Sequence, residues 1–300
     1  MRVIIALLAA VLIAGSTLAE LVGWRLSPAP VPAEAHDVVS ADAPGPPAGI
    51  RPGAIDSLPG VVDAAARRLM AEQHAPGTAL AVVHDGRVLM LRAYGAGDVE
   101  HETPVDASRT LFRVGSVTKP LTAAAVLQLV DDGRLDLHRD IRDYLPRLPL
   151  RVKVTAHQLL THTAGFDEKF AGGFTLAPEH LQPLATFLPR FAHHAIPPGR
   201  YFSYGSTNYA VAGWLLEVLS GAPFEQAISA RLFTPLGMSS TTARQPPEAA
   251  LLDARVHGYA WDGTQYHALP FRYTQTGPAG AASTTAADMS RFMMAILGPA

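Results

Sequence analysis

The run Thr78-Ala79-Leu80-Ala81-Val82-Val83, the turn His84-Asp85-Gly86-Arg87 and the run Val88-Leu89-Met90-Leu91 constrain this chain more than any other stretch. Asp-Gly between two short apolar runs signals a hairpin, because the tightest turns need positive φ, which these two residues tolerate. Neither run alternates polar with apolar residues as a strand with one wet face would. Both are nearly all apolar, the pattern of strands covered on both faces. Two strands alone are marginal in water, and three or more with a covered face are normally needed. The hairpin therefore predicts further sheet neighbours and helices packed on both sides.

Helical patterns surround it. Leu58 to His74 sets Val61, Val62, Ala65, Leu69 and Met70 among charges at helical spacing, and Gly77 stops it. After Phe112 the character changes. Pro120 is tolerated in a first helical turn, and Leu121 to Val130 is nearly all apolar, so a buried helix is expected to start at or just before Ser116 and to end at Gly133. Further helices are expected over Ala156 to Leu160, Asn208 to Leu219, Pro223 to Phe233 and Ala286 to Leu297, with loops rich in Pro, Gly, Thr and Ser between them. The layout is α+β, a hairpin followed by a mainly helical region, without internal repeats.

The first segment speaks to destination. Arg2 precedes the apolar run Val3 to Ala14, and Gly15-Ser16-Thr17-Leu18-Ala19 offers small residues for cleavage before Glu20, so residues 1–19 read as a secretory signal. The alternative is an uncleaved membrane anchor, because apolar character continues through Leu21, Val22 and Trp24. Either route exports the protein, to the periplasm or beyond. Residues 20–54 carry Pro28, Pro30, Pro32, Pro44, Pro46, Pro47 and Pro52 in an Ala/Gly-rich background, a spacer unable to bury a core. The folded domain is expected over 55–300. A formal charge of -2 over 300 residues, with scattered arginines and no lysine-rich run, weighs against a nucleic-acid partner. The absence of cysteine excludes a disulfide framework, a thiolate nucleophile, a cysteine zinc site and a lipidated cysteine. Nothing in the sequence bears on oligomeric state.

Chemistry concentrates at Ser116-Val117-Thr118-Lys119, where one of only 3 lysines follows a serine by three positions, behind Gly115. In a helix, residues i and i+3 share a face. Serine is a poor nucleophile without a neighbouring base, and a lysine can be that base when burial or nearby positive charge favours its neutral form. With 14 serines the pattern arises by chance in roughly one such chain in seven, so its surroundings must decide. Tyr204, in Tyr204-Gly205-Ser206, could relay a proton beside such a pair, although a tyrosine ahead of a helix more often packs. His162 could serve a Ser-His-Asp set, but its place after an apolar helix and before Gly165 favours a turn-fixing role. His193-His194 and His101-Glu102 lack metalloprotease spacing, and G-x-S-x-G, P-loop and dinucleotide fingerprints are absent, Gly95-Ala96-Gly97 being too short a fragment. No cofactor or metal is called for.

In order along the chain, Pro76-Gly77-Thr78 to Gly86-Arg87, Phe112 to Lys119, Gly133 to Leu137 with Tyr144-Leu145-Pro146, Leu159-Leu160-Thr161-His162-Thr163-Ala164-Gly165, Pro198-Gly199 to Tyr204, Pro235-Leu236-Gly237-Met238, and Gly280 with Asp288-Met289 make a recognisable series. The series resembles the penicillin-recognising serine hydrolases: class C β-lactamases, D-alanyl carboxypeptidases, D-aminopeptidases and related esterases, whose S-x-x-K signature is well known. The resemblance spans roughly Ile55 to Leu297. It implies a β-lactamase/transpeptidase-like fold, an antiparallel sheet flanked by helices. It implies Ser116 as the acylated nucleophile, Lys119 as proton acceptor and Tyr204 as the phenol that moves protons to leaving group or water, with the Ser116 N–H in the oxyanion hole.

Two departures follow. Many members read Tyr-x-Asn where this chain has Ser206, which would then contact substrate and disfavours efficient β-lactam turnover. The family's third motif, Lys/His-x-Gly on a strand beyond the Asp288-Met289 helix, is missing before Ala300. The chain is therefore expected to be part of a longer protein and, by itself, to have little activity. The leading expectation is an exported hydrolase of esters, amides or D-amino-acid peptides; the alternative is a non-catalytic module binding peptidoglycan-like peptides or a protein partner.

Overall fold

The computed structural model describes residues 58–168 and 171–297; the expected signal and spacer lie outside the described residues. Helix α1 (Leu58–Glu72) precedes strands β1 (Gly77–His84), β2 (Arg87–Asp98), β3 (Thr103–Pro104) and β4 (Phe112–Arg113). Helices α2 (Thr118–Asp131) and α3 (Ala156–Leu160), strand β5 (Phe174–Thr175) and helices α4 (Leu184–Phe191), α5 (Ser206–Ser220), α6 (Phe224–Ile228) and α7 (Ala249–Leu252) follow. Strands β6 (Gly258–Trp261), β7 (Tyr266–Leu269) and β8 (Tyr273–Thr274), helix α8 (Gly277–Gly280), strand β9 (Ser283–Thr284) and helix α9 (Ala286–Leu297) complete the order.

The hairpin forms in antiparallel register from Gly77 opposite Gly95 to His84 opposite Arg87. Asp85 and Gly86 turn it with φ of 47° and 68°, the pair of left-handed residues a two-residue turn requires. β2 continues past Leu91 to Asp98, where β3 pairs on its far edge, giving the order β1-β2-β3. Helix α1 lies against β2: the Tyr94 hydroxyl donates to Asp63 Oδ1 at 2.5 Å, and the Arg67 guanidinium sits 5.6 Å from the Tyr94 ring. Helix α9 packs on β1 and β2. Coverage is less complete than the apolar runs predict: every residue of β1 is half-buried, and Val88 and Leu89 are exposed.

The main core is helical. Helix α5 is buried without interruption from Thr207 to Leu216, the signature of a helix packed on all sides. Leu121, Ala125, Val126 and Leu129 of α2 are fully buried against it. Close approach is needed where α8 crosses α5, since a Cβ on Gly213 would sit 2.2 Å from Pro278 Cγ. Helix α4, not foreseen from the sequence, forms despite Pro189 within it and buries Leu184, Phe187, Leu188 and Phe191. The segment expected to be helical over Pro223 to Phe233 is α6 continued by a wider turn over Ser229–Phe233.

Two short strands place the chemistry. β4 pairs with β9, Phe112 opposite Thr284 and Arg113 opposite Ser283, so the chain entering the Ser116 segment is fixed to a stretch of sequence far downstream.

Candidate active site

Gly115, at φ 51°, turns the chain out of β4 into a 3-10 turn, Gly115–Val117, which runs directly into α2. Ser116 is therefore exposed at the entry to a helix, among first-turn N–H groups that lack intrahelical acceptors. Lys119 lies one turn on and is 4% exposed. Its Nζ donates to Ser116 Oγ at 3.0 Å and to the Ala279 carbonyl at 3.2 Å. Among the described residues no carboxylate pairs with it. The i, i+3 spacing thus delivers the contact that the sequence suggested.

Tyr204 is brought to the same place. Its ring centroid lies 4.7 Å from Lys119 Nζ, and the side chain is 53% exposed. The approach is through the ring face: no hydrogen bond joins the Tyr204 hydroxyl to Ser116 or Lys119 among the described residues. Ser206 begins α5, half-buried, and its backbone N–H donates to Glu168 Oε2 at 2.6 Å. Glu168 caps the helix entry where a carboxylate suits the free N–H groups. Its role is not legible in the sequence, because the loop after Asp167 has no distinctive pattern.

His162 supports the tyrosine loop instead of contacting Ser116. It is 8% exposed and holds φ 56°, a left-handed conformation that histidine tolerates better than most. Its Nδ1 accepts the Gly205 N–H at 3.2 Å, with Asn208 Nδ2 at 3.3 Å from the same nitrogen. The ring packs on Tyr204 and Tyr209 at centroid separations of 4.5 and 5.1 Å. Burial, with the Lys119 charge adding to it, pushes its pKa down to about 4. The ring is neutral at pH 7, and an accepting Nδ1 puts the proton on Nε2. A turn-fixing histidine is what this geometry describes.

The floor of the site is a strap spanning residues 278–282. Besides Ala279, the Pro278 carbonyl accepts from Thr122 Oγ1 at 2.7 Å, the Ala282 N–H donates to Thr118 Oγ1 at 3.0 Å, and Gly280 accepts from Arg113 Nε at 3.1 Å. Burial, with Arg272 nearby, lowers the Arg113 pKa to about 10. Thr118 and Thr122 are fully buried, so each hydroxyl needs the partner it has. Most of these partners are backbone groups, which no residue type announces in a sequence. Asp288 anchors the strap's far end, accepting from the Ser240 N–H at 2.8 Å and the Thr241 hydroxyl at 2.9 Å.

A buried amine on an exposed hydroxyl at a helix entry can activate that hydroxyl for attack on a carbonyl carbon. The chain is similar to several known proteins. The beta-lactamase family model matches residues 62–300. Penicillin-binding protein 4 of Amycolatopsis lactamdurans is 36% identical over 236 residues, covering 75% of this chain and 60% of that protein. Esterase EstB of Burkholderia gladioli is 34% identical over 205 residues, covering 61% of this chain and 50% of the esterase. Among solved structures, D-alanine carboxypeptidase AmpC from Burkholderia cenocepacia superposes with TM-score 0.67 at 31% identity, covering 82% of this chain and 66% of that one. The beta-lactamase/D-alanine carboxypeptidase from Pseudomonas syringae gives TM-score 0.68 at 26% identity, with 82% and 66% coverage. The chain thus spans about half to two-thirds of the length of these relatives. With the fold, the ordered segments and the family match in agreement, the chain belongs to the beta-lactamase family of serine hydrolases, alongside penicillin-binding-protein-like, esterase and carboxypeptidase members.

Proposed function

We propose that this chain carries the acylation centre of an exported serine hydrolase acting on an ester, an amide or a D-amino-acid peptide. The observation that carries the reading is the 3.0 Å contact between buried Lys119 Nζ and exposed Ser116 Oγ. In the proposed first step, Lys119 takes the Oγ proton as Oγ bonds to the substrate carbonyl carbon. The Ser116 N–H, at the helix entry, helps hold the oxyanion. Collapse breaks the bond to the leaving group, which receives a proton through the Lys119–Tyr204 pair. Water then attacks the acyl-enzyme, its proton returning by the same groups, and the acid is released from Ser116. Tyr204 is exposed and stacked through its ring, so its hydroxyl must turn toward the leaving group when substrate binds; such contacts often tighten only in the substrate complex. Ser206 stands at the helix start beside this path, where it would contact substrate.

The test is labelling of the full-length protein with a fluorophosphonate and with a labelled penicillin, read by intact mass. One adduct on Ser116 is expected, absent from Ser116→Ala. No adduct on the wild-type protein, or one that persists in Ser116→Ala, refutes the assignment.

A further inference from the structure

Away from the Ser116 site, the end of β2 meets the residues that enter β6. Asp98, Glu100 and His257 each present one ligand-type atom there, and these atoms all lie within 4.8 Å of one another. Two chain segments far apart in sequence supply them, and backbone pairing holds the segments together: the His257 N–H donates to the Gly97 carbonyl at 3.1 Å, and the Val99 N–H donates to the Tyr259 hydroxyl at 2.9 Å. The Tyr259 hydroxyl in turn donates to Glu100 Oε2. A fourth group, His101, places Nδ1 2.9 Å from Asp98 Oδ2.

The charge balance is what singles this cluster out. Two carboxylates share the site, and among the described residues no lysine or arginine nitrogen lies within 4.0 Å of either one. Other acidic groups of the fold are matched by guanidinium, as Asp140 is by Arg142 and Asp143 by Arg139. Here the nitrogen groups at hand are the imidazoles of His257 and His101 and the His101 backbone N–H, which donates to Asp98 Oδ1 at 2.9 Å. An imidazole nitrogen with two carboxylate oxygens is a donor set for a borderline divalent cation, whereas calcium and magnesium take oxygen alone. Zinc bonds of about 2.0–2.2 Å set ligand atoms roughly 3.4 Å apart at the corners of a tetrahedron, leaving a fourth corner for water. The present separations, up to 4.8 Å, are wider than that, and Glu100 and His257 are exposed, so binding would draw the three groups together.

We propose that Asp98, Glu100 and His257 bind one divalent transition-metal ion of the zinc type, with His101 orienting Asp98 from outside the ligand set. The ion fastens the β6–β7 hairpin to the end of the main sheet. It takes no part in the chemistry at Ser116, and nothing in the spacing of these residues along the chain announces it.

The experiment uses the untagged full chain, stripped with chelator, titrated with zinc chloride by calorimetry and followed by thermal unfolding. One saturable site with a micromolar or tighter Kd is expected, and zinc at a hundredfold excess over Kd should raise the unfolding midpoint by roughly 5–10 °C. His257→Ala and Asp98→Asn should each weaken binding at least tenfold and abolish that rise. His267→Ala, which removes an exposed imidazole paired with Asp262 elsewhere, should leave both unchanged. Should Asp98→Asn fail to fold by circular dichroism, Glu100→Gln, on an exposed side chain, gives the same reading. Absence of a saturable site below roughly 100 μM zinc, or equal binding by wild type and the His257→Ala variant, overturns the proposal. Calcium binding that matches zinc and ignores His257→Ala overturns it as well.

Discussion

Replacing His162 with asparagine tests the claim that a neutral, buried imidazole holds the Tyr204 loop. Asparagine tolerates the left-handed backbone at this position, and its Oδ1 can take the place of Nδ1 as acceptor for the Gly205 N–H. It cannot be protonated. In the folded protein His162 titrates near 4, against an ordinary value of 6.5. The unfolded chain therefore binds more protons between those values, so stability is complete above pH 6.5, falls as pH drops, and levels off below 4. Proton linkage gives a loss of about 2 kcal/mol from this residue between pH 7.5 and 5.0, an order-of-magnitude figure. Urea unfolding of wild type and variant at the two pH values isolates it, because shared carboxylates cancel in the difference. The wild type should lose about 2 kcal/mol more than the variant on acidification. The variant starts lower at pH 7.5, having lost ring contacts with Tyr204 and Tyr209. Equal losses in both proteins would refute the reasoning. In the folded protein, protonation near pH 4 also ejects the Gly205 N–H from Nδ1, so hydrolysis by wild type that is still folded should fall as pH drops toward 4, below the window in which stability is lost.

Two substitutions probe the rest of the site. Lys119→Met keeps most of the buried volume but removes the base, and kcat for ester hydrolysis by the full-length protein should fall about 10²–10⁴-fold with the fold retained; a smaller loss would assign the proton to another group. Gly213→Ala drives a methyl into Pro278, and should cost about 1–3 kcal/mol in urea unfolding while lowering kcat by moving the Ala279 carbonyl. Unchanged stability would show that the α5–α8 contact gives way easily.

The elements legible in the sequence are those whose cause is local. Asp85-Gly86 announces its own turn, the nearly all-apolar run after Pro120 announces a buried helix, and the i, i+3 spacing of Ser116 and Lys119 announces their contact. Position alone, after an apolar helix and ahead of Gly165, marked His162 as structural. The far half of β2 went unread because Ala93, Gly95, Ala96 and Gly97 carry little strand signature. Helix α4 was masked by its prolines, and its formation rests on tertiary burial of Phe187 and Leu188. Neither Ala279 nor Pro278 could be read as site residues, since what they contribute is a carbonyl. Glu168 was unreadable for a different reason: a carboxylate is recognisable as a cap only when the helix it serves is known to arrive from elsewhere in the chain.

The strap across the floor of the site has a consequence for the order in which the protein is made. Lys119 meets Ala279 across 160 residues, and Thr118 meets Ala282 across 164. Contacts this distant in sequence form late. On the ribosome, α2 and its serine emerge long before the strap, and during that interval Lys119 lacks the carbonyl that helps fix it against Ser116. Lys119 is thus braced against Ser116 only after residues 278–282 have been made, so a product terminated before them lacks that support.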